Sequence, residues 1–228
     1  MTNAIENSLH YDRERLLKRA RVYLGAGNKK DTVELDESII KAADELMSLG
    51  SFRFCHEEYS LVKRDCEDGF FVMKEPDIIL TSKDLTRYFE GCTGISAAGC
   101  TLGVESEKLI KKLQVTDLGF STIVDATAGA LLEDLMDEAE KLFLTGPRTF
   151  RFAPGYGDLP LSLNIEIAGA INMTKRIGVS ISSSGLFIPQ KSMLGIIGLG
   201  NDRTRRDCGL CTNTRNCGLR KEGLRCWI

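Results

Sequence analysis

A chain of 228 residues that is 43% hydrophobic and 27% charged is long enough for one well-buried core and has an ordinary globular composition. Its net charge of −2 excludes a general nucleic-acid surface, which needs a phosphate-neutralising excess of cations. No apolar run approaches a membrane span, and the charged N-terminus (Glu6, His10, Asp12, Arg13) has no apolar h-region. A cytoplasmic, reducing compartment is therefore expected, in which the eight cysteines do not form a disulfide framework.

The first helix is predicted over 8–24, where Leu9, Leu16, Leu17, Ala20 and Leu24 make an apolar stripe that Gly25 can end. A second follows from about Asp36 to Gly50, with Ile39, Ile40, Ala43, Leu46 and Met47 inward. Both read as packing elements. Over 51–80 the period shortens, and Phe52, Phe54, Tyr59, Leu61, Phe70, Phe71 and Val72 suggest short strands broken by 65–69. Ile78 to Leu80 is a further strand, and Ser82 is placed to cap a short helix through Tyr88. Short connections make antiparallel pairing the economical choice.

The segment 91–103 (Gly-Cys-Thr-Gly-Ile-Ser-Ala-Ala-Gly-Cys-Thr-Leu-Gly) is a strand of small residues, either tightly packed or open as a ligand wall. It lacks the lysine of a phosphate loop, and no G-x-G-x-x-G is present. A helix then carries Leu109, Ile110 and Leu113, and a long one is predicted from Asp117 to Leu144, with an acidic run beginning at Glu133. A short helix ending near Thr174 and two strands around 189–192 close the body. The fold class is therefore α+β, an antiparallel or mixed sheet with long flanking helices.

The least ordinary stretch is 151–160, Arg-Phe-Ala-Pro-Gly-Tyr-Gly-Asp-Leu-Pro. Pro154 and Pro160 stiffen the path, and Gly155 lets something approach the backbone. Arg151 offers a fork for a carboxylate, and Tyr156 combines a ring face with a hydroxyl. These parts suit a small zwitterionic ligand with an aromatic base, and they equally make a good turn. Only His10 and His56 are present, neither in a catalytic motif, so no side-chain nucleophile or base is assigned.

Residues 1–200 read as one domain and 201–228 as a basic tail, where seven arginines and lysines face three acids. In it Cys208 and Cys211 stand at metal-sharing spacing, and Cys217 and Cys226 can complete four ligands. The set is open to zinc, an iron–sulfur cluster or plain thiols.

The pattern Arg151-x-Ala153-Pro154-Gly155-Tyr156 with Pro160 resembles the signature of the activation domain of cobalamin-dependent methionine synthase, in its free-standing version. Gly91-Cys92 with Thr101-Leu102-Gly103, Asp125-Ala126, and Ile188-Pro189 with Ser192 and Ile196 to Gly198 are similar to other segments of that family. The resemblance implies S-adenosylmethionine (AdoMet) binding, with Arg151 on its carboxylate, Ala153, Pro154 and Gly155 bordering adenine or ribose, Tyr156 facing ligand or corrin, and Glu133 as an acidic contact. It implies reductive reactivation of a cobalamin-bearing methyltransferase or methionine synthase, with methyl transfer to reduced cobalt and an electron donor such as flavodoxin or ferredoxin. The sequence departs from the family at Ser182 to Ser184 and at Ser162 and Asn164, and the long N-terminal extension with one acidic AdoMet contact is absent. The rival expectation is a non-catalytic metal or iron–sulfur protein that docks a corrinoid protein and relays electrons through the tail.

Overall fold

The computed structural model describes residues 9–27, 29, 32–64, 70–202, 208 and 214–225. In chain order the elements are α1 (Arg13–Tyr23), α2 (Val33–Ser48), β1 (Arg53–Arg64), β2 (Phe70–Met73), β3 (Ile78–Thr81), α3 (Lys83–Tyr88) and β4 (Gly94–Thr101). They continue with α4 (Gly103–Thr116), α5 (Leu118–Phe143), α6 (Leu163–Ala170), α7 (Met173–Ile177), β5 (Ser180–Ile181), β6 (Phe187–Ile188), β7 (Ser192–Leu199) and α8 (Gly218–Lys221). Five strands form one sheet in the order β3-β2-β1-β4-β7, antiparallel at each pairing. The mixed α+β class is as expected.

The strands expected over 51–80 on either side of 65–69 are present, and the first is longer than expected, at 12 residues. It stays intact by changing partner: β1 pairs with β4 from Arg53 to Ser60 and with β2 from Leu61 onward. The strands flanking 189–192 exist but join different sheets, β6 pairing with β5 and β7 with β4. The helix expected to end near Thr174 is two pieces, because Asn172 turns left-handed (φ 55°) between α6 and α7.

Hydrophobic burial divides between the two faces of the sheet. One cluster joins Leu85, Tyr88 and Phe89 to Phe152, Leu163, Ile167 and Met173; the other joins Leu16, Ile39 and Leu46 to Val124, Leu131, Leu135 and Ala139. The inner strand β4, between β1 and β7, is buried from Ile95 to Thr101. A Cβ on Gly99 would lie 2.6 Å from the Met173 side chain, and one on Gly198 would lie 2.7 Å from the Cys92 sulfur. Both glycines pack against the chain itself.

Helix α5 runs for 26 residues, about 39 Å at 1.5 Å per residue, and one side of it packs on α1, α2 and α4. It starts at Asp117, whose side chain accepts the Phe120 amide at 3.0 Å. Among the described residues no helix is long and apolar enough to cross a membrane.

Candidate functional site

After α5 the chain returns along β7. Phe152 exchanges two backbone hydrogen bonds with Ile196, each 2.8 Å, and Arg148 bridges to Leu199. The bend begins where this pairing stops. The Tyr156 amide donates to Ala153 O at 3.0 Å, the Gly155 amide to Leu159 O at 2.8 Å, and the Leu159 amide to Tyr156 O at 3.2 Å. Gly155 (φ 86°) takes a conformation that side chains resist, so a residue other than glycine there is strained. Its backbone is exposed, while Pro154 is buried and Ala153 and Tyr156 are half-buried. The Tyr156 ring meets Phe152 edge to face, centroids 5.2 Å apart, and packs against the core.

The Arg151 fork, expected to meet a ligand carboxylate, is paired with the chain's own acids in this structure. Its side chain is 3% exposed and its guanidinium is closed onto two carboxylates of α5: Nη2 lies 3.0 Å from Asp137, and Nη1 pairs with Glu140. The physical reason is the turn of helix that places Asp137 and Glu140 on one side, three residues apart, facing β7. The arginine stem lies flat on β7, since a Cβ on Gly195 would fall 2.3 Å from Arg151 Cγ.

Asp137 also accepts from Arg19 at 2.6 Å. Burial pushes the Asp137 carboxyl up, but Arg151 and Arg19 outweigh it and hold the group below its ordinary value. Glu133 belongs to the same row. It accepts from the Tyr23 hydroxyl and lies 3.8 Å from Arg19. Arg15 pairs with Asp134 and, at 2.6 Å, with Glu138. The structure therefore brings Glu133 and Arg151 into one ionic network, through Arg19 and Asp137.

The other end of the bend is anchored differently. Asp158 accepts from the Ser82 hydroxyl, from the Lys83 amide at 2.7 Å and from the Asp84 amide at 3.3 Å. These are donors at the start of α3, so Asp158 supplements the Ser82 cap, whose oxygen takes the Leu85 amide at 2.9 Å. Burial raises the Asp158 carboxyl, yet these donors leave it below its ordinary value. Next to it Asp84 is 8% exposed and its Oδ2 has no hydrogen-bond partner. Burial first, and the Asp158 charge second, hold Asp84 above the ordinary carboxylate range. A Cβ on Gly157 (φ 60°) would fall 2.5 Å from that oxygen, so only glycine fits.

Sequence reasoning missed Asp137, Glu140, Asp158, Arg19 and Tyr23. Asp158 stood within the singled-out stretch, and Asp137 and Glu140 lay four and seven residues after Glu133 in the acidic run; the partners that give them meaning lie far along the chain.

Of the four tail cysteines, Cys208 and Cys217 are half-buried free thiols, while Cys211 and Cys226 lie outside the described residues. Among the described residues no group of three or more His, Cys, Asp or Glu side chains is arranged to hold a metal ion. The end of the chain does meet the body: Leu224 approaches Gly27 so closely that a Cβ there would lie 2.7 Å from it.

No protein-family model matches this chain, and no curated protein matches it in sequence. Among solved structures the chain is similar to one described as the crystal structure of the MetH reactivation domain bound to AdoHcy. The match has a TM-score of 0.60 and 15% identity, and it covers 98% of this chain and 80% of that one. At that identity the likeness is one of fold.

Proposed function

We propose that this protein binds AdoMet and serves the reductive reactivation of a cobalamin-dependent methyltransferase, methionine synthase being the first candidate partner. The observation that carries the reading is the bend itself. In a fold like that of the reactivation domain, an Arg-x-Ala-Pro-Gly-Tyr segment runs off β7 with exposed glycine backbone at its tip and an arginine against a row of carboxylates. These residues fit a ligand that carries a carboxylate, an ammonium and a sulfonium. AdoMet, when bound, supplies an electrophilic methyl group, and the partner's reduced cobalt is the nucleophile that takes it.

The chain's own part is placement. Arg151 and the acids of α5 grip the amino-acid end. Ala153, Pro154 and Gly155 border the base or ribose, and Tyr156 fixes the tip against Phe152. Glu133 sits one to two turns before Asp137 and Glu140 and sets the charge of that helix face. No side chain is required as nucleophile or base. An electron donor such as flavodoxin or ferredoxin completes the cycle.

The test is thermal. A ligand that binds the folded state alone raises the melting midpoint, by about 2.7 kcal/mol of added stability at a hundredfold excess over Kd. A rise with AdoMet and with AdoHcy, followed by transfer of labelled methyl to a cobalamin-bearing methyltransferase under reducing conditions, is the expected result. No rise at millimolar ligand sinks the reading. A metal or iron–sulfur cluster on Cys208, Cys211, Cys217 and Cys226 is a separate proposal; anaerobically purified protein free of zinc and iron removes it.

A further inference from the structure

The last described stretch, 214–225, is a small hook fastened to the body. Its Leu224 amide donates back to Leu219 O at 2.8 Å, and both leucines are half-buried. The hook meets the turn after α1, where Leu224 lies against Gly27 beside Val22. That turn is tied to α1, because the Ala26 amide donates to Arg21 O at 2.7 Å. Along α1 the residues Arg15, Arg19 and Tyr23 recur every four positions, so one face meets the acids of α5. Arg19 is the incomplete member. It is 4% exposed, yet its hydrogen bond to a carboxylate comes from Nη2 alone, to Asp137 at 2.6 Å. Nε stands 3.8 Å from Glu133 and Nη1 3.7 Å from Asp134, and neither nitrogen has a hydrogen-bond partner among the described residues. A buried guanidinium with two unused donors beside two carboxylates has a second arrangement within reach.

We infer that this hook is a strap that sets the position of α1 along α5: docked through Leu224 on Gly27, it holds Arg19 on Asp137; released, it lets Arg19 close on Glu133 and Asp134. The two arrangements differ at Asp137. With the strap docked, Arg19 takes Oδ2 of that carboxylate and Arg151 takes Oδ1. With the strap released, Asp137 is left to Arg151. A contact at Leu224 thereby reaches the bend through Gly27, α1 and one shared carboxylate, and each link is a contact of this structure. Leu224 is a positioning residue that acts through α1. The coupling is a property of the chain alone, whichever ligand the bend takes.

The experiment follows the Asp137 carboxyl by carbon-13 NMR through an acid titration, in the full chain and in its Leu224→Ser variant. The charged and titratable groups around Asp137 are Arg19 of α1, Arg151 of the bend, Glu133 and Glu140 of its own helix and the buried Cys100 thiol of β4. Release of Arg19 removes one of two cations, so the Asp137 midpoint should rise by about 1 pH unit or more in Leu224→Ser. Cys217, a half-buried thiol at the start of α8, should be alkylated faster in the same variant, which reports release of the strap. Leu224→Met, which keeps an apolar anchor, should restore both. Ile171→Val, in the core on the other face of the sheet, lowers stability without touching the strap and should leave the Asp137 midpoint in place. Faster alkylation of Cys217 with an unmoved Asp137 overturns the inference, and so does an equal rise in Ile171→Val. Unchanged alkylation also overturns it, since Leu224 would then not hold the strap. Leu224→Ala carries the test if Leu224→Ser fails to fold.

Discussion

The two ends of the bend are held by opposite physics. At Arg151 a buried cation meets ionised acids of α5, and the pairing is side chain to side chain. At Asp158 a carboxylate takes backbone amides that α3 leaves without partners at its start. The second kind of contact is fixed in place, because its donors belong to the backbone of α3. The first kind can be exchanged, because another carboxylate or ammonium satisfies the same groups.

Removing the piece common to both ends should have the largest effect. Phe152 is fully buried between Tyr88, Phe150 and Tyr156, and Phe152→Ala should cost about 3–5 kcal/mol. Chemical denaturation reads this directly, and a loss under 1 kcal/mol would mean the bend is not part of the core. Next comes Gly195→Ala, which drives a methyl into the Arg151 stem. It should destabilise by about 1–3 kcal/mol by overpacking and weaken AdoMet binding with it. If affinity holds while stability falls, the arginine end does not touch ligand.

The fixed end is probed by Asp158→Ala, which takes the acceptor away from the donors at the start of α3. A cap loss of about 1–2 kcal/mol is expected, visible as a lower denaturation midpoint with little change in the ionic network's pH response. Acid titration separates the two ends further. Asp137 has a folded pKa below its unfolded one, so its contribution is present above about pH 4 and is lost as pH falls through the depressed value. Asp84 has the reverse sign: its folded pKa is raised, so its ionisation opposes folding once pH exceeds the unfolded value. Asp84→Asn should therefore raise the melting temperature slightly at pH 7, and the gain should vanish below pH 4. A decrease at pH 7 would show that the unpartnered oxygen has a cationic partner in solution.

Much of this was legible in the residues. The α5 period, the Ser82 cap, the antiparallel pairing and the unusual character of 151–160 follow from local spacing and from backbone chemistry carried by single residues. The length of β1 was not, since a strand that changes partner midway carries no local mark of it. The tight fit of β4 was undecided for the same reason: small residues look alike whether a ligand or Met173 lies against them.

By itself the sequence determined that a stiff, glycine-opened turn would follow a long acidic helix, because proline, glycine and helical period act within a few residues of where they stand. Only the tertiary structure decided what the arginine of that turn holds. Charge pairing depends on which side chains arrive within about 4 Å: Asp137 and Glu140 reach Arg151 from α5, and Arg19 reaches Asp137 from α1.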